Sequence, residues 1–235
     1  MKRISLKSIM VLALGGMMVV SQTPAYAQLG GFGKKKSAAS GGATIDKDAF
    51  GKSANDAAGN LLGARITFLD SKAKMMEALG LKTDAVTKAS EALQAKKGIS
   101  DAGKITDALK DSTVVSKESD KQFEASMAES KELSAESKAK FAEGGAKFIE
   151  GVLLEKEQIA TIQKLVEQGQ NLVQSAGPME KPGVLAVVKS VTTMSTMVPG
   201  DVKEGSSTLS KILKFAQSQK VAIPGADKAT DMLGS

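Results

Sequence analysis

Residues 46–79 read DKDAFGKSANDAAGNLLGARITFLDSKAKMMEAL, and this stretch decides the fold. Phe50, Ala54, Ala57, Leu61, Ala64, Phe68, Ser71, Met75 and Ala78 recur in alternating steps of four and three. Such a stripe stays on one face of an α-helix and faces a second helix, as in a coiled-coil seam. A half-buried strand would alternate every second residue, and that pattern is missing. Leu62, Leu69, Met76 and Leu79 widen the stripe. Asp46 or Asp48 can accept from the first free N–H groups, and Gly80 ends the run. The spacing predicts a helix over 46–79, roughly 50 Å long at about 1.5 Å per residue.

Working outward, the same Ala, Lys, Glu, Ser and Leu composition continues to the C-terminus. A short helix is expected over 84–97, closed by Gly98, and another over 99–110, capped at Ser100. The β-branched run from Ser112 through Thr113, Val114 and Val115 to Ser116 predicts a break. From about 116 to 175 there is no Pro, and one very long helix is expected there. Its stripe runs through Phe123, Met127, Ser130, Ser134, Ser137, Phe141, Gly144, Phe148 and Gly151. Gly144 and Gly145 are its weak point, since a helical Gly costs about 1 kcal/mol relative to Ala. Glu136 with Lys140 and Glu143 with Lys147 are favourable surface pairs. Gly177 and Pro178 end the long helix. Shorter C-terminal helices follow, the first stopping at Pro199 and Gly200 and the second covering about 206–220. The fold class is therefore all-α: an elongated helical bundle or hairpin with coiled-coil seams.

Phe50, Leu61, Phe68, Phe123, Phe141 and Phe148 are the candidate packing seam. Phe50 and Phe68 are 18 residues apart, as are Phe123 and Phe141. This suggests that the first helix packs on the first half of the long one, with Phe side chains set among small residues. Gly51, Gly59 and Gly63 lie near one side of the first helix and would permit close approach. Glu155 interrupts the apolar stripe of the long helix. It reads as an edge or snorkelled residue, or else as a polar register or partner contact.

The start of the chain reads as an address. Lys2, Arg3 and Lys7 precede an apolar run over 9–20, and Ala25, Tyr26 and Ala27 supply small residues at the cleavage positions. Residues 1–27 are expected to be a signal peptide, cut between Ala27 and Gln28. Residues 28–43 are expected to be a flexible Gly/Ser/Lys tail, and 44–235 a helical domain. Export places the protein in the bacterial cell envelope, in the periplasm or beyond the outer membrane. The leader takes half of the net charge of +6 with it, and Lys34, Lys35 and Lys36 carry the rest. Those three lysines read either as a solvated linker or as a contact for an anionic surface, peripheral to a membrane.

The residue types exclude much chemistry. Among the 235 residues there is no Cys, His or Trp, and one Tyr. A thiol nucleophile, a disulfide framework and the usual imidazole base or metal ligand are thereby unavailable. No Asp, Glu, Lys, Ser or Thr constellation reads as a catalytic, metal or cofactor site. Arg65 is the only Arg after the leader, and Phe the only aromatic, which argues against nucleic-acid binding. The expectation is a structural or interaction protein that engages a protein partner or a second copy. The alternative is a membrane-active protein using 183–198, the most apolar segment after the leader, whose plain reading is a central buried helix.

Overall fold

The computed structural model describes residues 46–233. The expected leader, the cut between Ala27 and Gln28, and the tail with Lys34, Lys35 and Lys36 lie outside the described residues. Six helices and no strand occur among the described residues: α1 (Lys47–Ala78), α2 (Asp84–Gln94), α3 (Ala102–Glu129), α4 (Ala135–Ser175), α5 (Lys181–Ser218) and α6 (Ala226–Leu233). The all-α class is what the seams predict.

α1 begins and ends where its sequence dictates. The Asp46 carboxylate accepts from the N–H groups of Asp48 (2.9 Å) and Ala49 (3.4 Å). At the other end Gly80 takes φ +72°, and the N–H groups of Gly80 and Leu81 reach back to Glu77 O and Met76 O. This is the glycine-closed helix end in which two orphan carbonyls are satisfied.

The largest interface joins α1 to α4, and glycines set it. A Cβ on Gly169 would stand 3.0 Å from Phe50 Cζ, one on Gly151 3.2 Å from Phe68 Cα, and one on Gly144 2.6 Å from Met75 Cγ. Each step up α1 is matched by an equal step down α4, so the two helices run antiparallel in constant register. The spacing of Phe50 and Phe68 is thus mirrored by Gly151 and Gly169, not by Phe123 and Phe141. Gly51, Gly59 and Gly63 of α1 would meet nothing within 4 Å and take no part in close packing.

The single helix expected over 116–175 is two helices. Ser130 turns to extended backbone, and Ser134 caps α4 by accepting from Ser137 N–H at 3.1 Å. In one straight helix Phe123 and Phe141 would lie roughly 27 Å apart along the axis. The reversal at 130–134 brings their rings to 6.4 Å, with Phe215 5.1 Å from Phe141. Burial of three rings outweighs the lost helical turn.

Two expected breaks do not occur. α3 runs through 112–116 because Ser112 and Thr113 donate to Leu109 O (2.7 and 3.1 Å) and so satisfy their hydroxyls inside the helix. The cap of α3 is Asp101, which accepts from Gly103 and Lys104 N–H, rather than Ser100. α5 continues past Pro199 and Gly200 to Ser218, making it a long C-terminal helix rather than two short ones. Its buried residues Val191, Met194, Val198, Asp201, Gly205, Thr208, Ile212 and Phe215 keep alternating steps of three and four across the proline. Tertiary packing of that stripe offsets the hydrogen bond that Pro199 cannot donate. Segment 183–198 is half-buried rather than central: Val184, Val191, Met194 and Val198 point inward, while Leu185, Thr192 and Thr196 are exposed.

Candidate functional site

Arg65 and Lys72 stand two turns apart on α1, flanking the seam residue Phe68. Both are buried, Arg65 at 4% exposure and Lys72 at 0%. A buried cation is tolerated only with partners, and each has them on other helices. The Arg65 guanidinium donates through Nη2 to Asp201 Oδ2 of α5. Its Nε lies 3.1 Å from Glu155 Oε1 of α4. Lys72 Nζ donates to Ser116 O (2.9 Å) and Ser116 Oγ (2.8 Å) of α3 and lies 2.7 Å from Asp120 Oδ1. Phe68 sits between the two cations: its ring centroid is 5.6 Å from Arg65 Cζ and 5.1 Å from Lys72 Nζ. The ring face offers negative potential to both. On its remaining side Phe68 packs on Phe148 at 4.5 Å.

Glycines bring the carboxylates to this level. Glu155 lies one turn beyond Gly151, which rests against the Phe68 backbone. Asp201 lies one turn before Gly205, where a Cβ would stand 3.0 Å from Val152 Cγ2 and 3.5 Å from Phe68 Cε2. The small residues therefore admit α4 and α5 close enough to α1 for short acidic side chains to reach Arg65. The result is a polar centre joining α1, α3, α4 and α5.

The charge balance of this centre is uneven. One guanidinium faces two buried carboxylates, so full ionisation would leave an uncompensated negative charge in the core. Burial pushes the Glu155 carboxyl up to about 7, against the pull of Arg65 and with Asp201 adding to the rise. Asp201 is also raised, mainly by burial, with Arg65 opposing. Lys72 is lowered by burial against the attraction of Asp120, and Asp120 is raised by burial against Lys72. The centre can hold a proton near neutral pH.

The six seam residues named from sequence are all buried: Phe50, Leu61, Phe68, Phe123, Phe141 and Phe148. Only Phe68 touches the polar centre. Phe50 packs by Gly169, and Phe123 and Phe141 form a separate cluster. Glu155 is neither snorkelled nor at an edge; it is 3% exposed and ion-paired with Arg65 inside the core. Lys72, Asp120 and Asp201 escaped sequence reasoning. Carrying the three-four stripe of α5 through Pro199 would have placed Asp201 on the buried face. The heptad spacing of Arg65 and Lys72 beside Phe68 was the other available signal. Among the described residues no group of three or more acidic side chains is placed to hold a metal ion.

Fold and site define a class: an all-α bundle whose long helices are keyed together by buried ion pairs. No known protein family, characterised protein or solved structure matches the chain.

Proposed function

We propose that this chain is an exported, periplasmic protein of the cell envelope that works as a helical interaction scaffold, not as an enzyme, and that it engages a protein partner or a second copy rather than nucleic acid. The observation that carries the reading is the polar centre. Its cations and carboxylates face one another between helices instead of a substrate cleft, which is the use of charge expected for holding a scaffold in one register. Outside the core, Lys74 pairs with Glu143, Lys117 with Glu204 and Lys211 with Glu124, giving long faces of mixed charge. Such faces suit selective contact with a complementary surface. Export rests on Lys2, Arg3 and Lys7 ahead of the apolar run and on the Ala25-Tyr26-Ala27 site. Amine crosslinking in intact cells tests the interaction: crosslinks from defined lysines to one recurring partner or to a second copy are expected. Crosslinks confined within single molecules would refute it.

A second reading is favoured by the corner between α4 and α5. Met179 is 94% exposed and Leu185 48%, two of the few large apolar side chains on the surface. Leu185 stands near the start of 183–198 and Met179 just ahead of α5, and both suit shallow contact with a membrane. Among the described residues no helix is long and apolar enough to cross one. Dye release from liposomes by the purified protein would favour this reading over the scaffold.

A further inference from the structure

α1 and α5 end in the same geometry with different residues. In α1, Gly80 at φ +72° closes the helix, and Leu81 N–H donates to Met76 O. In α5 the equivalent bonds run from Lys220 N–H to Gln217 O (3.1 Å) and from Val221 N–H to Ala216 O (2.8 Å). Lys220 thus stands where this closure favours glycine. Its φ is 55°, and it is the one non-glycine residue with positive φ among those described. Its Cβ crowds the following carbonyl oxygen, so the turn is strained. Such strain persists where packing on either side enforces it, and it gathers at switch regions.

The two sides of Lys220 are held very differently. Before it, Gln219 Oε1 accepts from Leu133 N–H at 2.9 Å and ties the end of α5 to the reversal between α3 and α4. Beyond it, no hydrogen bond or ion pair joins residues 222–231 to another helix among the described residues. Of the described side chains in that segment, Ile223 and Ala229 are buried. Ile223 fills a notch at Gly145: a Cβ there would stand 2.7 Å from Ile223 Cδ1 and 3.2 Å from both Cγ1 and Cγ2. Gly145, a weak point of α4 by helix propensity, is therefore the seat of one side chain. A cleft of about 360 Å³ remains between the segment and α5, lined by Leu213, Gln217, Val221 and Thr230. Two buried side chains, no polar tie and an unfilled cleft place the segment at the low-stability end of the fold.

We propose that the chain from Val221 through α6 is a latch hinged at Lys220. Closed, Ile223 sits in the Gly145 notch and Lys220 is strained. Open, Lys220 leaves the left-handed region, and the notch and Ala216 are uncovered. Relief of the strain offsets part of the lost burial of Ile223, while Gln219 keeps α5 in place. The inference is independent of export, of any partner and of membrane contact. Hydrogen exchange of the full chain, resolved by peptide, tests it. The amides of 226–231 should be protected, yet exchange at least about a hundredfold faster than those of α4. Lys220→Gly relaxes the closed form and should slow exchange in 226–231 by about threefold or more. Ile223→Ala empties the notch and should speed it by about tenfold or more. Exchange in α1, α3 and α4 should stay unchanged in both variants. Protection of 226–231 equal to that of α4, no protection there at all, indifference to Lys220→Gly, or changes spread equally over the bundle would overturn the proposal.

Discussion

Replacing Glu155 by Gln should make the protein more stable above neutral pH, although it removes a buried ion pair. Gln keeps the shape of the protonated carboxyl and cannot ionise. The Glu155 carboxyl titrates at about 7 in the fold against an ordinary value of 4.5. The folded value lies above the unfolded one, so between these limits the folded chain binds more protons. Stability must then fall as pH rises through that window, by about 1.36 kcal/mol per pH unit at most. The total is on the order of 3 kcal/mol. Below about pH 4.5 Glu155 is protonated in both states, and variant and parent should be equally stable. Above about pH 7 the variant should be the more stable by up to that amount.

Other groups titrate too; the difference between the two proteins removes those remote from Glu155, while Asp201, which shares Arg65 with it, stays coupled to the change. Asp120 and Asp201 are raised, the same sign as Glu155, while Asp101, Glu143 and Glu180 are lowered by backbone or lysine partners and act oppositely at acid pH. Urea unfolding read by far-UV circular dichroism is the suitable assay, because the chain has no Trp and one Tyr. It would run for both proteins from about pH 4 to about pH 8. A variant less stable than the parent at about pH 8 would refute the reasoning. It would mean that Glu155 is held ionised by Arg65 and that the pair is a net gain.

Arg65→Met should act in the opposite sense, leaving Glu155 and Asp201 buried without a cation and costing about 3–5 kcal/mol at alkaline pH. Part of that loss should return on acidification, which the same urea series would detect. Gly59→Ala and Gly63→Ala meet open space in a helix interior. Each should stabilise by about 0.5–1 kcal/mol, visible as a higher thermal midpoint. Gly151→Leu would drive a side chain into the Phe68 backbone and should destabilise by about 1–3 kcal/mol or more on the same measurement. Protein recovered from the periplasm should begin at Gln28 by intact mass and lack Tyr absorbance, since Tyr26 departs with the leader; retained Tyr26 would refute cleavage there.

How far the sequence could be read depended on where each signal lay. The stripe from Phe50 to Ala78 needs only the period of one helix, so α1 was legible to within a residue at each end. Its aspartate cap and closing Gly80 are likewise local chemistry. The break at 130–134 was not legible, because neither Pro nor Gly marks it. Ser130 and Ser134 are only weakly averse to helix, and the gain from stacking Phe123, Phe141 and Phe215 arises between distant segments. Pro199 misled in the other direction: its local cost is real, yet the buried stripe on both sides of it holds α5 together.

The same division separates the two halves of the polar centre. That Arg65 is rare in this chain and that Glu155 interrupts an apolar stripe are facts of sequence, visible along one helix. That they meet, with Asp201 from a third helix and Lys72 bonded to Ser116 one level away, depends on glycines that let helices approach. Periodicity determines which face of a helix is buried. It carries no information on which partner covers that face, because every seam here shares the same three-four spacing; only the antiparallel fit of Phe50, Phe68 and Met75 against Gly169, Gly151 and Gly144 selects the pairing.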